Sequence, residues 1–463
     1  MQHWQQPSIH QQFQFEWMSG SINHNMRPYL IRRLSEIARL VLKKLQMWKW
    51  FVGVVIGLVC GVASAGFAQV TATPGEKMSV SVAKLQGHGG QIFFPCGNYD
   101  VDGTIDVKAD GVYLRGSGYC SRIHITASTD VFNVMGAFFV LEGFEVVIDS
   151  AQDRTEANFI RGSASQGRVS HVRFSGSSKI ANNGRIFFSN SQAGGLWYFE
   201  DIRITGGGFT SAGLTVGPVW RAFIALTSAT DKTISGTSVI NVVGTPGFTD
   251  AAFDFNGAID TVQLVQLNLG PTKGRVFWLH NSVKSPISPR LVYCQNCSIE
   301  TRNGSTAIQL DASRVFSFQG GIGGADVMGV YVGPGAIDTN LSNIFFLSLR
   351  KGAITIAAGA QNTLIKGNIF EDTTDQATNQ YDTITVEPGA ANFVIADNLW
   401  RSTNRYKARY AINLPSGGAS SYRLLNNQIS NDVYATGTIN NAAKGQSYAV
   451  TGNSGVADKS DVK

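Results

Sequence analysis

From Gly89 onward, apolar and polar positions alternate in short bursts, and each burst ends in Gly, Asn or Asp. Over Gly89–Ile125 the bursts are Gln91–Phe94, Thr104–Val107, Val112–Leu114 and Arg122–Ile125. A period of two with this punctuation predicts half-buried strands, and no helical spacing interrupts it. The pattern then repeats along the chain. One element, apolar-x-Gly/Asn/Asp-x-x-apolar, starts at Leu114, Leu141, Val169, Phe199, Ile234, Leu264, Cys294, Leu341, Ile365, Ile395, Leu424 and Val450, with a looser copy over Phe316–Ile322. Another, apolar-x-apolar, starts at Phe253, Phe277, Ile308, Val330, Ile354, Ile384 and Ile412. The spacing predicts about thirteen coils.

One such coil cannot bury its own apolar face, but stacked coils bury a continuous core. A parallel solenoid fits better than a sandwich, because like residues recur at like positions. Asn368, Asn398, Asn427 and Asn453 share one such position. That register predicts an inward asparagine ladder, tolerant of a left-handed turn and bonding its neighbours.

The order of residues in Gly89–Ile125 (Gly89-Gly90, an apolar triplet, Pro95, Gly97, Tyr99, Val101, then Ile105, Val107, Gly111-Val112, Leu114, Gly116 and Gly118) resembles the opening coil of the pectate-lyase-like superfamily. The resemblance spans about 37 residues. It implies an all-β, single-stranded, right-handed parallel β-helix, a scaffold shared by polysaccharide lyases, glycosidases, tailspike depolymerases and some binding proteins. The family's usual preceding segment, FGAxGDG with a paired Asp, is absent. Glu76–Leu85 is the expected cap, with Met78, Val82 and Leu85 on one helical face.

Composition agrees. Gly is abundant at 51 and charged residues make up 15% of the 463-residue chain, as suits many turns and short strands. The net charge of +6 is set by the leader, since residues 1–68 hold seven basic groups and two acids. A nearly neutral body gives no footprint for nucleic acid. Residues 1–46 are read as a poorly structured extension. Residues 47–68 are read as a signal peptide, with Ala63-Ser64-Ala65 or Ala68-Gln69 as the cut. Met1 and Met47 both stand as start sites. Uncleaved, the segment would be a membrane anchor, and it is the chain's one expected link to a membrane. Linker and cap then occupy 69–88, the β-helix 89–455 and a frayed tail 456–463. The expected location is secreted or periplasmic.

Export permits disulfides. Cys96 and Cys120 are 24 residues apart, close to one coil, and are expected to bond as vertical neighbours. Cys294 and Cys297 form a lone C-x-x-C whose bonding the sequence leaves open, and a zinc site would need a second pair. No metal or cofactor is expected.

Polygalacturonase and calcium-dependent pectate lyase fingerprints are missing, as are phosphate-binding glycine motifs. Candidate chemistry therefore comes from positions one coil apart. Asp254, Trp278, Gln309 and Tyr331 form one outward row, and Asn256, His280 and Asp311 close the same strands. Asp254, His280 and Asp311 are the expected catalytic set, with His280 oriented by Asp311. Asn256, Trp278, Gln309 and Tyr331 are expected to bind a sugar chain, the aromatics through their faces. The bland alternative is a polar outer strand. A rival cluster aligns His171 with Asp201, Arg173 with Arg203, and Glu145 in the same row. It suits an acidic glycan, or else is a ladder of surface ion pairs. The run Trp400, Arg401, Arg405, Tyr406, Lys407, Arg409, Tyr410 reads as a loop, either solvated or the rim of a glycan site. Two functions follow: an enzyme cutting a polysaccharide by hydrolysis or β-elimination, or a non-catalytic glycan-binding solenoid.

Overall fold

The computed structural model describes residues 68–462, apart from 86, 150–151, 164–165, 181, 191–194, 207–208, 211–212, 215–218, 246, 303–304, 326, 375–376, 404–405, 431–433 and 455–460. The expected extension and all of the expected signal segment except Ala68 lie outside the described residues. Among those described, no helix is long and apolar enough to cross a membrane.

The body is a parallel β-solenoid of about a dozen coils, as the repeat predicts. Each coil has three faces, carried by separate strands or by one long strand such as Val330–Leu347, so three parallel sheets climb the molecule. Sheet one starts at Ile105–Val107, sheet two at Ala68–Thr71, which pairs with Gly90–Phe94, and sheet three at Gly97–Val101. In sheet one the inward column reads Ile105, Phe132, Ile160, Phe187, Ile224, Phe253, Phe277, Ile308, Val330, Ile354, Ile384, Ile412 and Ile439, every step a register pair. Like residues stack because each inward side chain meets its counterpart about 4.8 Å away. Of this column, the residues from Phe132 to Ile412 are 0–2% exposed. Aromatic stacks run up the interior, as in Phe346–Phe370–Trp400, with ring centroids 4.8 Å apart at both steps.

The asparagine ladder is present. Asn398 Oδ1 accepts from the backbone N–H of Asn368 at 2.9 Å and from its Nδ2 at 3.0 Å. Asn427 Oδ1 does the same for Asn398, at 3.2 and 2.9 Å. Asn368, Asn398 and Asn427 are 0–1% exposed. The residue just before this position sits in the left-handed region in many coils: His171 (φ 54°), Asp201 (52°), Asn241 (54°), Asn296 (54°), Asp397 (55°) and Asn426 (52°). Short polar side chains and His enter that conformation more readily than branched ones.

Two alignments shift. Val239, not Ile234, pairs with Leu264; Ile234 pairs with Ile259 in an extra two-residue strand before the turn at Gly236 (φ 82°). The looser coil at Phe316–Ile322 places Phe318 between Cys294 and Leu341, and the register with both neighbours shifts between Phe318 and Gly320.

The cap helix spans Met78–Ala83 and buries Met78, with Leu85 4% exposed just beyond it. Cys96 and Cys120 are bonded across adjacent coils, with Cα atoms 4.7 Å apart, and Cys294 is bonded to Cys297, at 6.1 Å. Trp400 departs from the loop reading: it is 1% exposed within the strand Leu399–Arg401. Arg401 pairs with Glu371 and Arg409 with Asp382, while Arg405 is outside the described residues.

Candidate active site

The outward side of sheet one carries the expected row in register: Asp254 beside Trp278, Trp278 beside Gln309, Gln309 beside Tyr331. Asn256 pairs with His280, and the strand of Asp311 follows in step as far as Leu279–Leu310.

Side chains lean along their strands, so contacts run diagonally between coils. His280 Nε2 lies 2.8 Å from Asp254 Oδ1, one coil below and two residues back. By the same diagonal, Trp278 Nε1 donates to Asp311 Oδ2 at 2.8 Å. Gln309 Nε2 donates to both Asp311 oxygens, at 2.8 and 3.0 Å. The expected orientation of His280 by Asp311 is thus replaced: Asp254 is the partner of His280, and Asp311 is held by Trp278 and Gln309.

The two halves meet at Trp278. Its ring stacks on the His280 imidazole with centroids 3.8 Å apart and planes 15° from parallel. The Arg275 guanidinium lies over the same ring at 4.6 Å, a cation on an aromatic face. Arg275 Nε also donates to Gln309 Oε1, which fixes the amide that holds Asp311. Arg275, Trp278, His280, Asp254, Gln309 and Asp311 therefore form one connected cluster. The imidazole is 6% exposed and its Nδ1 is buried without a hydrogen-bond partner; the Asp254 side chain is 23% exposed.

Tyr331 stands one coil above Gln309. Burial first, then the charges of Glu387 and Asp311, pushes its phenol above the ordinary tyrosine range. Gly333 makes room there, since a Cβ would come within 2.7 Å of Leu310 O and 3.1 Å of the Tyr331 ring. Asn256 turns away to the following turn, donating to Ser282 Oγ at 2.9 Å. Arg275 and Gly333 escaped the sequence reading. The signal for Arg275 was a cation three residues before Trp278 on the same strand.

The rival cluster divides into two. His171 Nε2 meets Asp201 Oδ2 at 3.0 Å on the left-handed turn between sheets two and three, with side chains 53% and 37% exposed. Asn241 Nδ2 donates to Asp201 Oδ1, continuing the outer turn ladder. Glu145, Arg173 and Arg203 lie beyond that turn, on sheet three. Glu145 binds Arg122 at 3.0 Å and Arg173 at 3.7 Å.

No family model matches the chain, and no curated protein matches it by sequence. Among solved structures it is similar to the mannuronan C-5 epimerase AlgE6 A-module of Azotobacter vinelandii, at 11% identity and TM-score 0.46 over 80% of this chain and 92% of that one. It is similar also to the AlgE4 A-module from the same organism, at 14% and 0.39 over 81% and 95%. A third is the catalytic unit of a GH87 alpha-1,3-glucanase from Streptomyces thermodiastaticus, at 12% and 0.41 over 84% and 69%. Identities and scores this low leave the chemistry of this chain to its own residues.

Proposed function

We propose that this chain is an exported, carbohydrate-active β-helix that holds a polysaccharide along the outward face of sheet one and cleaves it there. The observation that carries this reading is the pair of carboxylates on one face, each fixed by its own donor set. Asp254 is fixed by His280, and Asp311 by Trp278 and Gln309. Their backbones are two coils apart, roughly 10 Å along the axis, near the separation of inverting glycosidases. In a hydrolysis, one carboxyl protonates the leaving oxygen while the other activates water. In a β-elimination, one of them removes the proton alpha to a uronate carboxylate while the other protonates the glycosidic oxygen that departs from the β carbon, leaving a C=C in the unsaturated uronate. His280 is a positioning residue, because its ring is buried against Trp278 and acts through Asp254. Trp278 holds Asp311 and His280 and is itself covered by Arg275, so Tyr331 is the aromatic left to meet a sugar.

A non-catalytic glycan-binding solenoid is the second reading. It is favoured by the full engagement of Asp311, whose two oxygens both accept protein donors. Incubating the mature protein with a panel of neutral and acidic polysaccharides separates the two. New reducing ends signify hydrolysis, and ultraviolet absorbance of unsaturated uronates signifies elimination. Binding without either product selects the second reading.

Export is supported by two disulfides in one chain, since such bonds persist in oxidising compartments. An N-terminus near Gly66 or Gln69 on the exported protein is the expected result of sequencing it. An intact apolar segment would overturn cleavage.

A further inference from the structure

We infer that the outward face of sheet three carries a second, non-catalytic site that grips the oxyanions, carboxylate or sulfate, of an acidic polysaccharide. It shares only the polymer class with the sheet-one reading and uses none of its residues.

The site is an open cleft of about 670 Å³ lined by Arg173, Arg203, Thr205, Val243, Thr245 and Asn268. Register places Arg173 beside Arg203, Arg203 beside Val243 and Val243 beside Asn268, so they form one column along the solenoid axis. Two arginines on strands one coil, about 4.8 Å, apart offer paired donors to a planar oxyanion.

Charge on this column is unbalanced. Arg122, Arg173 and Arg203 share one carboxylate, Glu145, which binds the first two. Among the described residues no carboxylate pairs with Arg203, which is exposed. The nearby Asp201 is taken by His171 and Asn241. Arg173 is held in place by Tyr119, whose ring lies 4.5 Å beneath its guanidinium, and its Nε is buried with no hydrogen-bond partner. A buried cationic donor left unsatisfied is costly unless a ligand completes it. Farther up the column, exposed Val243 (46%) gives an apolar patch for a sugar face and exposed Asn268 a polar edge. The charges thus sit at one end, with a sugar-compatible surface continuing from them.

The test is direct binding of four probes to the full mature protein: a polyuronate oligosaccharide, dextran sulfate, a neutral glucan and single-stranded DNA. Binding is measured at about 0.15 M salt in an Asp254→Asn background, so that no probe is consumed. Arg203→Ala is expected to weaken polyuronate or dextran sulfate binding about tenfold or more, as loss of one charge-assisted contact implies. Its melting temperature should not move, because Arg203 is exposed. Arg173→Lys should give a smaller loss, keeping charge without the fork. The stronger of the two anionic probes identifies the oxyanion. Unchanged anion binding in Arg203→Ala overturns the proposal, as does equal affinity for DNA or for the neutral glucan. If no polysaccharide is cleaved by the parent protein and Arg203→Ala still weakens anion binding, the sheet-one reading falls and this one stands.

Discussion

Two His–Asp pairs span neighbouring coils with nearly the same separation, His280–Asp254 at 2.8 Å and His171–Asp201 at 3.0 Å. Their surroundings differ in every other respect. His280 is 6% exposed, stacked on Trp278, and tied through that ring to Arg275 and Asp311. His171 is 53% exposed on a left-handed turn whose other coils carry Asp, Asn, Gln or Gly. Water weakens the second pair and reaches the first only on the side of Asp254. The same two residue types thus make a constrained chemical unit in one place and a turn ladder in the other. Burial and the third partner decide which.

That contrast is open to attack by mutation. The largest expected effect is on rate. Asp254→Asn and Asp311→Asn should each lower kcat/KM on the cleaved polysaccharide by about 10²–10⁴-fold, the usual loss of a general acid or base. Full activity in both variants transfers the search away from sheet one.

Next comes stability in the interior ladder. Asn398→Ala strands the amide and Nδ2 of Asn368 and the carbonyl of Ile365. Denaturant melts should show a loss of about 3 kcal/mol, the cost of several buried unsatisfied groups. A loss below about 0.5 kcal/mol, the size of an ordinary surface change, would show that the ladder is ornamental.

A smaller effect is expected at His280, yet one that discriminates. His280→Ala should lower stability by about 1–2 kcal/mol and reduce kcat more than KM. His280→Gln, which keeps a donor toward Asp254, should restore much of the rate if the ring only positions the carboxylate. Failure of Gln to rescue would instead make the imidazole a proton carrier. The smallest effect belongs to His171→Ala. Stability should stay within about 0.5 kcal/mol of the parent, and activity should be unchanged. A large loss there reverses the comparison.

How much was legible follows from what periodicity encodes. The pairing of Phe253 with Phe277 and Ile308 could be read off, because parallel stacking puts like residues over like and a slip of one exposes the core. The asparagine ladder was readable for the same reason, four identical residues at one recurring step. The Cys96–Cys120 bond followed from a spacing of one coil. The coil at Ile234 was misaligned because two apolar residues competed for one inward place and a glycine turn separated them. Trp400 was misread because its neighbours are basic, although its own slot, in step with Phe370, is interior.

What the sequence determined by itself is the coil, the register and which residues face out, since these depend only on alternation and repeat. The partner of each outward polar group was decided by the tertiary structure. Asp254 and Asp311 lie one coil below and one coil above His280, and Cα register favours Asp311, which follows in step with His280, over Asp254, which pairs with Trp278. The lean of side chains along the strand overrides that register, sending His280 down to Asp254 and leaving Asp311 to Trp278 and Gln309. Whether a His–Asp pair is sheltered or washed by solvent likewise depends on neighbours from other coils, such as Arg275 against Trp278, which no local spacing encodes.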